Sequence, residues 1–413
     1  MTTFTDSAAT FIDHADSSLR RRQLWEHFNS VGLPSTTDEV WRYAPLSGFS
    51  LDGYLVDPSA GTFVKDDSAD SLARGAAIVI RVANGHLVDI VGSHDGVVIT
   101  SEDPGSPFGD VDFEIRYGAD SFALLNGALS PSALTITVAP GVQVLSPIII
   151  DQFVGASSAF CATRIVMSRS SQLEVVECFR GGNDALVVPV AEFDVGENAE
   201  LKIATYQRLA DTAWHVARST ARLARDARVH QSVVGLGGHY DRARNDAEFV
   251  GTGARNELHT TFLGSGHQIH DLRTHQFHKV GRTSSVLLSK GAVADHSRSV
   301  YTGLIEIENG ARRTDARQTN LNLLLAPTAH ADTVPNLDIR ENDVVCAHAS
   351  SVGPLDELQR WYLESRGIDR DVAERLLVQG FFNEMTDSMP RSVAALVEAD
   401  VARVLAATRL VSA

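Results

Sequence analysis

Cys346 and His348, in the segment ENDVVCAHASSVG, are the pair most suited to chemistry. Side chains two apart on an extended strand project from the same face. A soft thiolate and a borderline imidazole placed so can reach one ion or one corner of a cluster. Two ligands do not hold a cluster, so the rest must come from elsewhere in the fold or from a second chain. The simpler account is a buried Cys packed as a small hydrophobe beside a hydrogen-bonded His. The densest polar run is HTTFLGSGHQIHDLRTHQFH, containing His259, His267, His270, His275 and His278. Neutral imidazoles this close in sequence can bind zinc, copper or iron, which makes a stand-alone metal-dependent enzyme an alternative. On an alternating strand, however, His270 and His275 face opposite ways unless a bulge intervenes. Histidines that are exposed, or that satisfy backbone groups inside the fold, account for the run more simply. Asp295, Asp315, Asp332, Asp338 and Asp343 are available for a polysaccharide-cleaving carboxylate pair, a class that ranks low because such enzymes are mostly exported. The chain has no GxxxxGK, GxGxxG, HExxH, CxxC or GxSxG signature, so no catalytic residue of its own is assigned and no phosphate cradle is expected.

The elements that must position these residues fall into three regions, 1–75, 76–352 and 353–413. In the first, FIDHADSSLRRRQLWEHFNSVG places apolar residues at helical spacing before a Gly stop. In LPSTTDEVWRYAPLSGF, the oxygens of Thr36, Thr37 and Asp38 suit an N-cap, and Pro45 with Gly48 ends a short helix anchored by Trp41 and Tyr43. From 76 to 352 the texture turns to short β-rich runs broken by Gly, Ser, Asn and Asp. Asn-Gly pairs occur only at Asn84-Gly85, Asn126-Gly127 and Asn309-Gly310, too few for a meander of tight hairpins. The phrases SSQLEV, NAELKI, DARVHQ, GARNEL and GARRTD begin at Ser170, Asn198, Asp226, Gly253 and Gly310, at intervals of 28, 28, 27 and 57 residues. That period predicts a solenoid whose coils bury apolar faces only against their neighbours. The expected fold is mainly β, a right-handed parallel β-helix core flanked by N-terminal and C-terminal helical regions; a large β-sandwich with evenly spaced turns is the alternative. After Gly353-Pro354, LDELQRWYLESRG carries Leu355, Leu358, Trp361 and Tyr362 along one side and stops at Gly367. Asp369 caps the next helix, which stops at Gly380, and a third covers SVAALVEADVARVLAAT. These helices are expected to cap the open end of the solenoid.

Composition narrows the function classes. The 413 residues are 44% hydrophobic and carry a formal charge of −16 spread along the chain, which disfavours nucleic acid as a partner. The longest apolar runs are far too short to cross a bilayer, so no membrane partner is expected. The acidic N-terminus does not read as a secretory signal. Three widely separated cysteines fit a reducing compartment, and a cytoplasmic location is expected.

Between about 255 and 385 an ordered set of phrases resembles the SufB/SufD family of SUF iron–sulfur cluster assembly proteins. They are Asp271 with His278, Ser284-Ser285, Lys290, YTGLIEIENGARRTDARQTNLNLLL, PNLDIRENDVVCAHASSVGPLD and WYLESRGIDRDVAERLLVQGFF, with a weaker echo in EVWRYAPL. Ala349, where SufB chains carry an acidic residue, and the Trp-Arg-Tyr phrase favour the SufD branch. The segment Cys346-Ala347-His348-Ala349-Ser350-Ser351 keeps the family's Cys and His and departs at the next three positions. The resemblance implies a β-helix between helical termini, pairing with SufB through the β-helix, and binding of the SufC ATPase by C-terminal helices around Arg366, Gly367, Gly380 and Phe381. It further implies a transient iron–sulfur cluster at the interface with SufB, with His348 as first and Cys346 as second candidate ligand. No cofactor is expected on the isolated chain, for which a homodimeric scaffold stays open.

Overall fold

The computed structural model describes residues 3–14, 19–35, 38, 41–43, 46, 48–66, 71–102, 120–387 and 389–407. Thr36, Thr37 and Pro45 lie outside the described residues, so the N-cap and stop expected there have no structural counterpart to compare. The chain forms a parallel β-solenoid of about eight turns with helices at both termini. Two sheets face each other. One runs from the hairpin Ile78–Ala83/His86–Gly92 to Val345–Pro354, and the other from Val97–Glu102 to His330–Ile339. Each coil contributes one strand to each sheet, and neighbouring coils pair in parallel.

The corners explain the period. Ser170, Asn198, Asp226, Gly253, Arg282 and Arg313 all adopt positive φ, between 54° and 82°, two residues before the strand positions that pair in register, Gln172, Glu200, Arg228, Arg255, Ser284 and Asp315. Asn, Asp and Gly tolerate this left-handed conformation best. Two of the corners are arginines, which the turn-residue vocabulary does not anticipate. The corner inside the 57-residue interval is therefore Arg282, and its successor is Arg313 rather than Gly310, which turns three residues earlier. Of the Asn-Gly pairs, only Asn84-Gly85 makes a two-residue hairpin, with φ of 51° and 85° between Ala83 and His86. Asn126-Gly127 lies instead in a helix.

Six α-helices are described: α1 (Phe4–His14), α2 (Leu19–Val31), α3 (Ser121–Leu129), α4 (Glu357–Glu364), α5 (Arg370–Thr386) and α6 (Arg391–Ala407). SFALLNGAL in α3 is apolar nearly all round, so it lacks the amphipathic signature, and it is buried on nearly all sides. With Phe4, Phe11, Trp41 and Phe28 it builds a core against Leu186, Val188, Tyr240 and Val300 of the second sheet. Trp41 of the Trp-Arg-Tyr phrase lies 3.6 Å from the Arg242 guanidinium, which pairs with the fully buried Asp271. Two helix readings are corrected. Asp356 caps α4 through its carboxylate, but Asp369, although at the N-cap of α5, makes no side-chain cap bond. And α5 continues through Gly380 to Thr386, because Val378, Phe382 and Met385 are buried and that packing outweighs the modest helix cost of one glycine.

The C-terminal helices do not cap the open end. Val378, Phe382, Met385, Val393 and Val397 pack along the flank of the first sheet, against Val176, Cys178, Ala204, Tyr206 and Val234. Apolar area offered by that flank determines where they settle. Among the described residues nothing covers the last coil, whose strand Val345–Pro354 is largely exposed. Among the described residues no helix is long and apolar enough to cross a membrane.

Between the sheets, the early coils are mostly apolar, with Ile80, Ile136, Ile150, Ile165 and Val175 in one cluster. Towards the open end the inward positions become polar, among them Asn256, Gln276 and Gln318. Each such buried atom left unpaired costs roughly 1–3 kcal/mol, so this end of the core is not optimised for stability alone.

Candidate functional site

Among the described residues the terminal strand Val345–Pro354 pairs on one side only, with Asp315–Leu324. Cys346 registers with Ala316, and His348 with Gln318. Those partners are buried inward-facing positions, so Cys346 and His348 share the inner face of the last coil, as the two-residue spacing requires. Among the described residues no further coil covers that face. His348 is exposed and Cys346 half-buried against Ile305, Ile307, Ala311 and Ala316. Burial, with the nearby Asp315 charge, pushes the Cys346 thiol up, so its proton is held until a cation or a cationic neighbour draws it off. Across the lumen Asn320 donates to Thr333 Oγ1 at 3.2 Å, and Thr333 and Ser350 hydroxyls bond at 2.8 Å, tying the two sheets together at this end.

The five clustered histidines disperse. His267 is exposed at a corner, stacked on His296 at 5.1 Å. His259 lies on the outer flank of the first sheet, its pKa lowered by burial. His275 faces outward and meets Glu306 at 3.2 Å. His270 faces inward and meets Asp241 at 3.2 Å. His278 lies between Thr283 and Ser285 hydroxyls at 2.8 and 3.0 Å and stacks on Phe249 at 4.1 Å. The opposite parity of His270 and His275 thus holds. Among the described residues no three His, Cys, Asp or Glu side chains converge to hold a metal ion, and the metal-enzyme alternative finds no cradle. The carboxylates are likewise tied up separately. Asp315 holds Arg317 at 2.9 Å, Asp332 holds Arg298 and His330 at 3.1 Å each, Asp338 pairs with Arg340, and Asp295 accepts the Gly266 amide at 2.9 Å. Asp343 lies 4.0 Å from Arg313.

His278 has a measurable consequence. Burial pushes its imidazole down to about 3 from 6.5, so between those values the unfolded chain binds a proton that the folded chain refuses. Stability therefore falls as pH drops below about 6.5, by up to ~1.4 kcal/mol per pH unit from this residue. His278→Gln is expected to flatten that slope by about one proton in thermal unfolding followed from pH 7 to 4; an unchanged slope contradicts a buried neutral imidazole.

At the C-terminal end, Arg366 stacks over Tyr362 at 5.2 Å, and Gly367 ends the α4 segment with φ of 84°. Gly380 borders a groove of ≈ 370 Å³ between α5 and α6, lined also by Leu376, Asn383 and Val401. Phe381 turns toward the solenoid, where Lys290 Nζ donates to its carbonyl at 3.0 Å, lies 4.9 Å from its ring and pairs with Glu384 at 2.7 Å. The apolar side read in α4 is real but faces solvent: Leu358 is 78% and Trp361 66% exposed, while only Leu355 is buried. Two features went unread. Lys290 is the tether between flank helix and sheet, and Gln318 stands directly behind His348. A signal for the second existed, because Asn256, Gln318, Asn320 and Asn322 occupy alternate positions where a solenoid interior calls for apolar residues.

Residues 150–381 match the family described as SUF system FeS cluster assembly, SufBD core domain. The chain is 27% identical to the iron–sulfur cluster assembly protein SufD of Escherichia coli K12, over 91% of this chain and 90% of the relative. It is 30% identical to an iron–sulfur cluster assembly SufBD family protein of Mycobacterium leprae, over 89% and 90%. It is 31% identical to one of Mycobacterium tuberculosis, over 86% and 84%. A solenoid whose inner face ends in an exposed imidazole, matched over more than half its length by that core domain, places the chain in the SufB/SufD family of iron–sulfur cluster assembly proteins, on the SufD side.

Proposed function

We propose that this chain is a non-catalytic scaffold subunit of a cytoplasmic SUF complex, pairing with SufB through the end of its β-helix and with the SufC ATPase through its C-terminal helices. A transient iron–sulfur cluster forms at the SufB interface, with His348 as first ligand from this chain and Cys346 as second. The observation that carries this reading is the uncovered terminal coil with His348 exposed on it. Its two edge strands present unpaired backbone N–H and C=O groups, which act as templates for a further strand.

The two edges are not equivalent. His330 and Arg340 amides donate to Ser297 and Ile307 of the neighbouring coil, so the odd-numbered positions between them, Pro335 included, face the free side. Pro335 thus removes a donor from the free edge, a device that blunts strand addition. On the other edge Val345 donates to Thr314 of the neighbouring coil, which turns the amides of Cys346, His348, Ser350 and Val352 to the free side, and the only proline on that side is Pro354 at the strand's end. SufB accordingly adds to Val345–Pro354, beside the proposed ligands.

SufC docks on the exposed Leu358, Trp361 and Tyr362 side of α4, around Arg366 and Gly367, and closure of two ATP-bound SufC subunits pulls on these helices. Lys290 passes the displacement to the sheet, and a densely packed solenoid transmits it with little internal deformation. Trp361→Ala is expected to weaken SufC capture about tenfold or more without changing thermal stability, since large aromatic anchors dominate interfaces; undiminished capture removes this face from the docking site. The reading as a whole is tested by co-expression with SufB and SufC and affinity capture through this chain. A ternary complex supports it, and a chain recovered alone or as a homodimer in the presence of both refutes it.

A further inference from the structure

Inward positions are mostly apolar in the first coils, with Gln152, Thr163 and Glu177 hydrogen-bonded to one another, and from Trp214–Leu223 onward polar residues alternate with apolar ones such as Leu258, Leu287 and Ile305. His215, Asn245, His270, Gln276, Gln318 and Asn322 lie between the two sheets, none more than 4% exposed. Each has a side-chain polar atom with no hydrogen-bond partner among the described residues, and in Gln318 and Asn322 both amide atoms are in that state. His215 and His270 share one carboxylate, their Nδ1 atoms 2.7 and 3.2 Å from Asp241, which leaves both Nε2 atoms unpaired. Asp241 accordingly stays ionised: burial opposes the charge, and the two imidazoles overcome it. His215, Asp241 and Asn245 border a cavity of ≈ 50 Å³ lined also by Glu177 and Thr205. A water requires roughly 10–15 Å³ of such space, so a few fit there. Further along, Gly303 makes room for the Gln318 carboxamide, whose atoms would lie 2.4 and 2.5 Å from any Cβ at 303.

Native interiors rarely leave side-chain donors and acceptors unpaired, and here they recur coil after coil along one line. We propose that the lumen of the last five coils is a water-binding bore, a file of ordered water running from His215–Asp241–His270 to the terminal coil, with Gln318 as its last link behind His348. Its ligand class is small, uncharged and hydrogen-bonding, because the imidazoles, amides and hydroxyls supply donors and acceptors but no cationic cradle. Its use rests on the scaffold reading: with the coil edge covered by another chain, the bore keeps the inner face of His348 in contact with water and exchangeable protons.

The water itself is tested on the free full-length chain, independently of partners or clusters. A crystal structure at atomic resolution is expected to show ordered density about 2.7–3.2 Å from His270 Nε2, Gln276 Nε2 and the Gln318 amide. Side chains that pair with one another, with no density between them, overturn the proposal. Gln318→Met conserves volume and removes the amide. If the bore is wet, the melting temperature falls by a few degrees as adjoining water loses its partner; an unchanged or higher value marks a dry bore and overturns the proposal. A failed cluster assay with intact bore water would count against the ligand assignment alone.

Discussion

Cells that depend on the His348→Ala chain are expected to lose SUF-dependent cluster assembly, while the purified variant still captures SufB and SufC and melts at the native temperature. The separation of these effects follows from position. His348 is exposed on the outermost strand and makes no packing contribution that alanine would forfeit; substitutions at such sites usually change stability by less than about 0.5 kcal/mol. Chemically, the loss is large. Cys346 is the other nearby soft ligand on that face, and its thiol is held protonated by burial and Asp315, so it is a poor first anchor. Removing a ligand outright should cost at least the 10–100-fold that disturbed outer-shell partners typically cost. Measured as activity of an iron–sulfur enzyme in cells lacking other assembly routes, a loss of roughly tenfold or more is expected. Near-native activity with an intact ternary complex would remove His348 from the site and leave the scaffold reading standing.

How far the sequence announced this arrangement depends on which interactions are local. The solenoid was legible because each coil repeats the same corner, and a left-handed residue before each strand leaves a trace at Ser170, Asn198, Asp226 and Gly253. It faded at Arg282 and Arg313, where stacking on neighbouring coils imposes the conformation on residues with no turn preference. The shared face of Cys346 and His348 follows from strand alternation alone. The bundling of His259 through His278 into one metal site failed for the same reason, since alternation and a corner at His267 send them to both faces and both sheets. Tertiary placement was illegible. Whether the α4 side of Leu358, Trp361 and Tyr362 is buried depends on where α5 and α6 dock, which no local pattern encodes, and the helices settle on the flank instead of the open end. Gly380 read as a stop because propensity is local, whereas Phe382 and Met385 bury their side chains at long range.

Leaving the terminal coil open matters only if something else completes it, and a backbone substitution asks this without touching a ligand. Val352→Pro is expected to weaken capture of SufB severely and to leave the isolated chain folded. Val352 carries an outward amide by the alternation that starts at Val345, so proline there deletes no hydrogen bond within the chain, and Pro335 occupies the corresponding free side of the other edge strand. The residue before it, Ser351, is already extended, as proline demands. A strand adding to this edge loses a donor and meets the proline ring, which in a sheet costs a ladder bond and fit together. Capture is expected to fall by about two orders of magnitude, equivalent to ~3 kcal/mol, with the unfolding midpoint moving by only a few degrees. His348 and Cys346 are unaltered in this variant, so cluster assembly should fail through lost pairing instead of lost ligation, and SufC capture by the α4 side should persist. Undiminished SufB capture would mean that pairing does not run along Val345–Pro354, and the asymmetry between an edge with proline at its middle and one with proline only at its end would then have no bearing on partner choice.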